Sequence, residues 1–198
     1  MPSPIARPLR DLAWAALGLG GAAACTRAVE ALRPRVIADD SGPREDDPFL
    51  RELPRAYAVS AGAILAGPLL GTGAVRLPAA CGPAGLAVEV GGVGLRIWAM
   101  RELRGHYART LRVVDEQPVV RTGPYRYVRH PGYLGALLIC VGAALSARNL
   151  TAVVLTATAV GTAYEHRMDA EDALLRRDLP GYAHYAATTR RLVPTIAS

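Results

Sequence analysis

The sequence predicts an all-α integral membrane bundle of about five transmembrane helices. Three observations carry that prediction. Of the 198 residues 51% are hydrophobic, yet only one is Phe. The apolar bulk comes instead from Ala and Gly, small residues that let helices approach closely in a bilayer. Apolar stretches of 15 to 22 residues recur along the chain, separated by polar breaks, and such lengths approach or reach what a bilayer crossing needs. All 23 basic residues are Arg, and they gather in three of the polar breaks, the asymmetry expected of a membrane protein.

The elements follow in order. Residues 12–26 carry no charge; extended to Leu32 past Arg27 and Glu30 they form a first span, read as a membrane helix rather than a cleaved leader. Residues 33–55, with Pro34, Pro43, Pro48 and Pro54 among many charges, read as a loop. Residues 56–75 are an uncharged twenty-residue second span, closed by a turn at Arg76, Leu77 and Pro78. Residues 79–100 make a third span containing Glu89 and Arg96. These two lie seven apart on one helical face, as a structural pair or as the lining of a tunnel. Residues 101–114 read as an interfacial helix.

Residues 131–147 and 150–164 form a helical hairpin across the turn at Arg148 and Asn149. From Glu165 an amphipathic helix continues until Pro180 and Gly181 stop it. With the C-terminus inside, segments 33–55, 101–130 and 165–198 hold seventeen arginines and the outer segments four. The positive-inside rule therefore places the central loop and the tail together in the cytoplasm.

Composition also excludes some classes. The net charge of +6 could serve nucleic acid, but no nucleic-acid motif is present and the cations sit beside apolar runs. Cys25, Cys81 and Cys140 lie far apart in apolar segments, without metal or redox spacing. No metal site is expected. His106, His166 and His184 belong to no motif and read as solvated or interfacial.

Functional signals concentrate between Gln117 and Gly135. Thr122-Gly123-Pro124 is a turn signal. Arg121, Arg126 and Arg129 supply three cations, and Tyr125, Tyr127, His130 and Tyr133 supply rings that stack and hydrogen-bond. Pro131 then opens an apolar helix. A polar, ring-rich loop leading straight into a membrane helix suits a small polar ligand held at a membrane surface. As alternatives, His130 merely caps the helix start, and the loop arginines merely set topology.

The run Thr122-Gly123-Pro124-Tyr125, then Arg129-His130-Pro131-Gly132-Tyr133-Leu134-Gly135, then Arg167 with Glu171, then Leu179-Pro180-Gly181-Tyr182 through Tyr185 and Arg191-Leu192-Val193-Pro194 resembles the isoprenylcysteine carboxyl methyltransferase family, within the wider phospholipid methyltransferase-like group. The resemblance covers roughly 95–198. It implies one membrane methyltransferase domain over 1–198, with 1–94 as accessory helices and 95–198 as catalytic core, in a bacterial plasma membrane. It implies S-adenosylmethionine as cofactor and a lipophilic acceptor methylated on a carboxylate or hydroxyl. Gln117, Pro118, Val119, Val120, Tyr125, His130, Pro131, Gly132, Tyr133 and Glu171 would line the cofactor pocket. Arg167 would meet the acceptor, and Arg167 with Glu171 would be the catalytic pair. Gln117 stands where the family often has His, and Glu171-Asp172 where it often has paired Glu.

The residue types suit that chemistry. Arg167 and Glu171, four apart, share one face of a helix. A carboxylate acceptor is already a nucleophile, whereas a phenol or enol would need a base, with His130 or Glu171 the first candidates. Tyr182 and Tyr185 read as packing or interfacial residues. Three other classes stay open: a phospholipid or amine N-methyltransferase, a membrane NADPH-dependent reductase of related architecture, and a non-catalytic membrane protein or small transporter.

Overall fold

The computed structural model describes residues 6–32, 48–70, 75–104 and 118–192. Among the described residues the regular elements are helical. They are α1 (Ala6–Ala31), α2 (Phe49–Leu70), α3 (Cys81–Leu103), a short 3-10 turn (Gly123–Arg126), α4 (Pro131–Ser146), α5 (Leu150–Asp178) and α6 (Tyr182–Thr188).

Helix α4 sits at the centre. It packs chiefly on α3 and also on α1 and α5, while α2 lies along α5. Glycines decide how close α3 and α4 come. A Cβ added at Gly92 would lie 2.6 Å from the Gly135 carbonyl oxygen, and one at Gly142 would lie 2.7 Å from the Gly85 carbonyl oxygen. The two backbones therefore touch, as small residues permit in bilayer-embedded helices. Between Gly85 and Gly92, Glu89 is 1% exposed and turned into the seam of α1, α3 and α4. Gly21 of α1 leaves the space its carboxylate fills, and nearby the Ser146 hydroxyl donates to the Gly142 carbonyl at 3.0 Å.

The α2–α5 contact is held differently, by hydroxyl pairs. Ser60 Oγ and Thr156 Oγ1 are 2.7 Å apart, and the Tyr57 and Tyr164 hydroxyls 3.0 Å. At the far end of the bundle Asp11 of α1 binds Arg76 and lies 4.0 Å from Arg148, whose guanidinium also donates to the carbonyls of Leu77 and Pro78. The side chain of Asn149 caps α5 by accepting from the amide of Ala152.

Helix α2 corrects the expected loop over 33–55. It begins at Phe49, so residues 49–55 are helical despite Pro54. Phe49 and Leu53, four apart, pack against the core of Ala56, Ala136, Tyr164 and Met168, and that burial outweighs the amide Pro54 cannot donate. Residues 33–47 lie outside the described residues.

Among the described residues the apolar lengths establish fewer spans than the five expected. Two helices, α1 over Pro8–Ala31 and α2 over Phe49–Leu70, are long and apolar enough to cross a membrane, and α4 is apolar but only sixteen residues long. Helix α3 carries Glu89, Arg96, Arg101 and Glu102, and α5 merges its apolar first half with an amphipathic second half in one unbroken 29-residue helix. The interfacial helix expected over 101–114 falls mostly outside the described residues; α3 itself runs on to Leu103.

The backbone contact between α3 and α4 makes a definite prediction. Gly92→Ala should destabilise the protein by about 1–3 kcal/mol, the usual cost of overpacking. Gly91→Ala, whose new methyl meets nothing within 4 Å, should be neutral or slightly stabilising. Thermal unfolding of both variants in detergent checks this, and equal melting temperatures would refute the close approach.

Candidate active site

At the end of the bundle where the central loop lies, α5 projects beyond the other helices. The loop 118–130, the last turns of α5, helix α6 and residues 190–192 fold together there. The loop has little regular structure, so side chains and isolated backbone bonds must fix it. Gly123 takes φ +56, which starts the 3-10 turn. The amides of Arg129 and His130 donate to the carbonyls of Arg190 and Arg191 at 2.8 and 3.2 Å. The Tyr185 hydroxyl donates to the Tyr125 carbonyl at 2.6 Å.

Asp172 ties these pieces together. It is 4% exposed. One carboxylate oxygen accepts from His130 Nε2 at 2.9 Å and from the Tyr182 hydroxyl. The other accepts from Arg129 Nη2 at 2.9 Å and Arg191 Nη2 at 3.1 Å. A carboxylate only accepts, so Nε2 of His130 carries a proton. Burial alone would raise the Asp172 pKa, but the hydrogen bonds from His130, Arg129 and Tyr182 outweigh it and hold the carboxyl well below its ordinary range. Tyr182 is pushed up by burial and by its bond to Asp172, and burial pushes the Tyr185 phenol up to about 12 against Arg129 and Arg121 beside it. Both phenols therefore stay neutral donors.

Beside this hub lies a second cluster. The Tyr133 hydroxyl donates to Glu171 Oε2 at 2.7 Å, and Arg167 Nε reaches the same hydroxyl at 3.4 Å. Tyr133 thus bridges the two residues that sequence places on one helical face. The Arg167 guanidinium also lies 5.2 Å from the centre of the Phe49 ring, within cation–π range. Tyr133 and Phe49 each pack on Tyr164, with ring centres 5.3 and 5.8 Å apart.

Both clusters face a cavity of about 710 Å3. Its mouth is polar, formed by Tyr125, Arg129, His130, Tyr133, Arg167, Glu171, Tyr182 and Tyr185 together with Pro118, Val119 and Val120. Beyond Tyr164 it continues between α1, α2 and α4 as an apolar channel lined by residues such as Leu19, Ala136, Ile139 and Ile64, with Arg96 of α3 entering its side. A chamber of carboxylate, cations and rings opening into an apolar channel can hold a polar ligand end to end with a lipophilic one.

Most of the residues expected from sequence converge here. Pro118, Val119, Val120, Tyr125, His130, Gly132, Tyr133, Arg167 and Glu171 all line the cavity. Pro131 does not; it is fully buried and starts α4. Gln117 lies outside the described residues. Of the pair considered within α3, Arg96 lines the cavity, whereas Glu89 packs in the helix seam. His166 and His184 are exposed, and His166 meets Glu52 at 3.0 Å; His106 lies outside the described residues.

Sequence reasoning gave no site role to Tyr57 and Phe49, noted Arg129 only among the loop cations and Asp172 only as the neighbour of Glu171, and undervalued Tyr182 and Tyr185. A signal existed for Asp172. It shares a helical stripe with Met168, Leu175 and Leu179, and a carboxylate on an apolar stripe is turned inward.

The fold and site together define a class: a helical membrane-type bundle whose polar chamber opens into an apolar channel. Residues 85–177 match the model of the isoprenylcysteine carboxyl methyltransferase (ICMT) family. The match covers most of α3, the loop, α4 and nearly all of α5; α1, α2 and α6 lie outside it. The structure of the eukaryotic intramembrane Ras methyltransferase ICMT superposes with a TM-score of 0.64 over 92% of this chain and 68% of that one, at 17% identity, a likeness of fold. The nickel-cobalt-cadmium resistance protein NccN of Alcaligenes xylosoxydans xylosoxydans and the cobalt-zinc-cadmium resistance protein CzcN of Cupriavidus metallidurans are each 30% identical over 112 residues, which is 57% of this chain and 48% of theirs. The chain therefore spans about half the length of the curated relatives it matches.

The hub makes a prediction about stability. Asp172→Asn should cost about 3–5 kcal/mol, because Arg129 loses its charge partner in a buried setting. The folded-state pKa of Asp172 is depressed, so its contribution is full above the ordinary carboxylate range and is lost as pH falls toward the folded value. Unfolding of wild type and variant from pH 7 to pH 3 should show a gap that narrows only at the acid end. A gap independent of pH would contradict the assignment.

Proposed function

We propose that this chain is an S-adenosylmethionine-dependent methyltransferase that esterifies a carboxylate on a lipophilic acceptor at the membrane surface. One observation carries the reading: the Glu171–Tyr133–Arg167 cluster stands at the junction of the polar chamber and the apolar channel.

The residues present fit that cofactor. Glu171 and the rings of Tyr125 and Tyr133 offer negative charge and π faces to a cation, and the backbone of 118–120 offers donors and acceptors to a heterocycle edge. Arg129 and Arg121 stand near the same mouth, Arg121 lying 5.9 Å from the centre of the Tyr185 ring. When bound, the cofactor supplies an electrophilic methyl group on a sulfonium. Arg167 and Arg96, entering the cavity from two helices, would hold an acceptor carboxylate between them. That acceptor is ionised before it binds, so no side chain needs to remove a proton, and His130 stays engaged with Asp172. Phe49, Tyr164 and Tyr57 screen the junction from water, which strengthens the electrostatics inside. What remains for the protein is alignment.

We also place five helices across the membrane, with the chamber on the cytoplasmic side. Glu89 of α3 faces the seam and Arg96 the cavity, while Val90 and Trp98 are exposed, 68% and 47%, so the outward face of α3 is apolar. Val154 and Leu155 do the same for α5.

Calorimetry on detergent-purified protein tests the reading. S-adenosylmethionine and S-adenosylhomocysteine should bind, and NADPH should not. Glu171→Gln should weaken cofactor binding by roughly ten- to a hundredfold, the worth of a hydrogen bond to a charged group. Arg167→Ala should leave cofactor binding within about threefold while abolishing transfer, since its contact is with the acceptor. NADPH binding in place of the adenosyl ligands would overturn the assignment.

A further inference from the structure

The apolar channel ends inside the protein. Ile64 of α2 and Ala143 of α4 line its deepest part. Both also belong to a packed cluster with Ala15, Ala144, Ala147 and Ala152, all 5% exposed or less. Behind that cluster Asp11, Arg76 and Arg148 latch the far end of the bundle. The channel is thus closed at its floor, with the exposed Thr26, Glu30 and Leu50 along its side nearer the mouth, and its depth is set by helix geometry. From Tyr133 to Ala143 along α4 is ten residues, a rise of about 15 Å. From Leu53 to Ile64 along α2 is eleven residues, about 16 Å, so two walls agree.

We infer that Ile64 and Ala143 form a floor that selects the acceptor by the length of its apolar chain. The inference rests on the methyltransferase reading for what occupies the polar end; the blind end stands on geometry alone. The occupant is an alkyl or isoprenoid carboxylate. Its anionic head matches the cations Arg167 and Arg96 at the top, and its tail matches the apolar walls below. A fully extended chain advances about 1.2 Å per bond, so 15 Å admits a main chain of about twelve atoms. A longer tail would have to displace the Ile64 side chain or leave sideways between α1 and α2.

Native mass spectrometry with saturated monocarboxylic acids of eight to eighteen carbons measures this, run with S-adenosylhomocysteine present. Wild-type affinity should rise up to roughly fourfold with each added methylene, the worth of burying one, and then fall several-fold beyond about twelve carbons. Ile64→Ala should move the optimum two to three carbons longer, about the depth its side chain occupies. Ile64→Val, which removes only one methyl and keeps the fold if the Ala variant does not, should move it by about one. An optimum that ignores both substitutions overturns the floor. Affinity that keeps rising to eighteen carbons overturns it too, because the tail then leaves the bundle sideways, and so does failure of every acid to bind. Calorimetry with S-adenosylmethionine on the same samples separates the two ideas. Cofactor binding without a length optimum rejects the floor and keeps the methyltransferase reading; a length optimum without cofactor binding does the reverse.

Discussion

The chamber depends on one buried carboxylate. Asp172 gathers Arg129 and His130 from the loop, Tyr182 from α6 and Arg191 from the tail. Those four groups come from three segments with little regular structure of their own, and ordering them costs conformational entropy. Without a charge at the centre, the largely buried Arg129 would lose its carboxylate partner, while Arg191, half-exposed, would keep Asp169 at 2.7 Å. With it, all four groups share one acceptor and the loop is pinned to α5. The cavity-lining residues Tyr125 and Tyr133 flank the pinned segment, so their placement is inherited from a contact that lies behind them.

That arrangement separates two neighbouring acidic residues by role. Glu171 points to the cavity and meets Tyr133, whereas Asp172 points away and holds the scaffold. Successive residues on a helix face directions about 100° apart, so one acidic dipeptide can serve both purposes. The shorter Asp side chain suits the inner position, where its two oxygens are already shared among four donors. The longer Glu suits the outer one, where a carboxylate must reach into a chamber.

Much of the fold was legible because membrane helices announce themselves by composition. The hairpin of α4 and α5, its turn at Arg148 and Asn149, and the stop at Pro180 and Gly181 follow from charge-free runs and turn residues. The start of α2 was not legible, because Pro48, Pro54 and three charges in 51–55 read as loop; only tertiary burial of Phe49 and Leu53 makes that segment helical. The glycine pairs at 85 and 92 and at 135 and 142, each seven apart, were visible as spacing, but nothing in either helix alone says that they face each other. The site divides in the same way. Arg167, Glu171 and the loop residues stand in a recognisable order, while Asp172, Phe49 and Tyr57 acquire meaning only when three distant segments meet.

The boundary of the family match falls at an instructive place. Residues 85–177 contain the Arg96, Tyr133, Arg167 and Glu171 side chains that face the junction. Helices α1 and α2 lie outside the match, yet they supply Leu19, Tyr57 and Ile64, one whole side of the apolar channel. On the proposed reading, the groups that align methyl transfer are encoded in one stretch of chain and much of the surface that recognises the acceptor tail in another. The two stretches are joined by hydroxyl pairs, by the contacts of Arg167 with Phe49 and of His166 with Glu52, and by small-residue contacts between helices. Substitutions deep in α1 and α2, at Leu19 or Ile64, can therefore reshape the channel, whereas Phe49 and Tyr57 of α2 touch Arg167 and Tyr164 and couple that helix to the chamber.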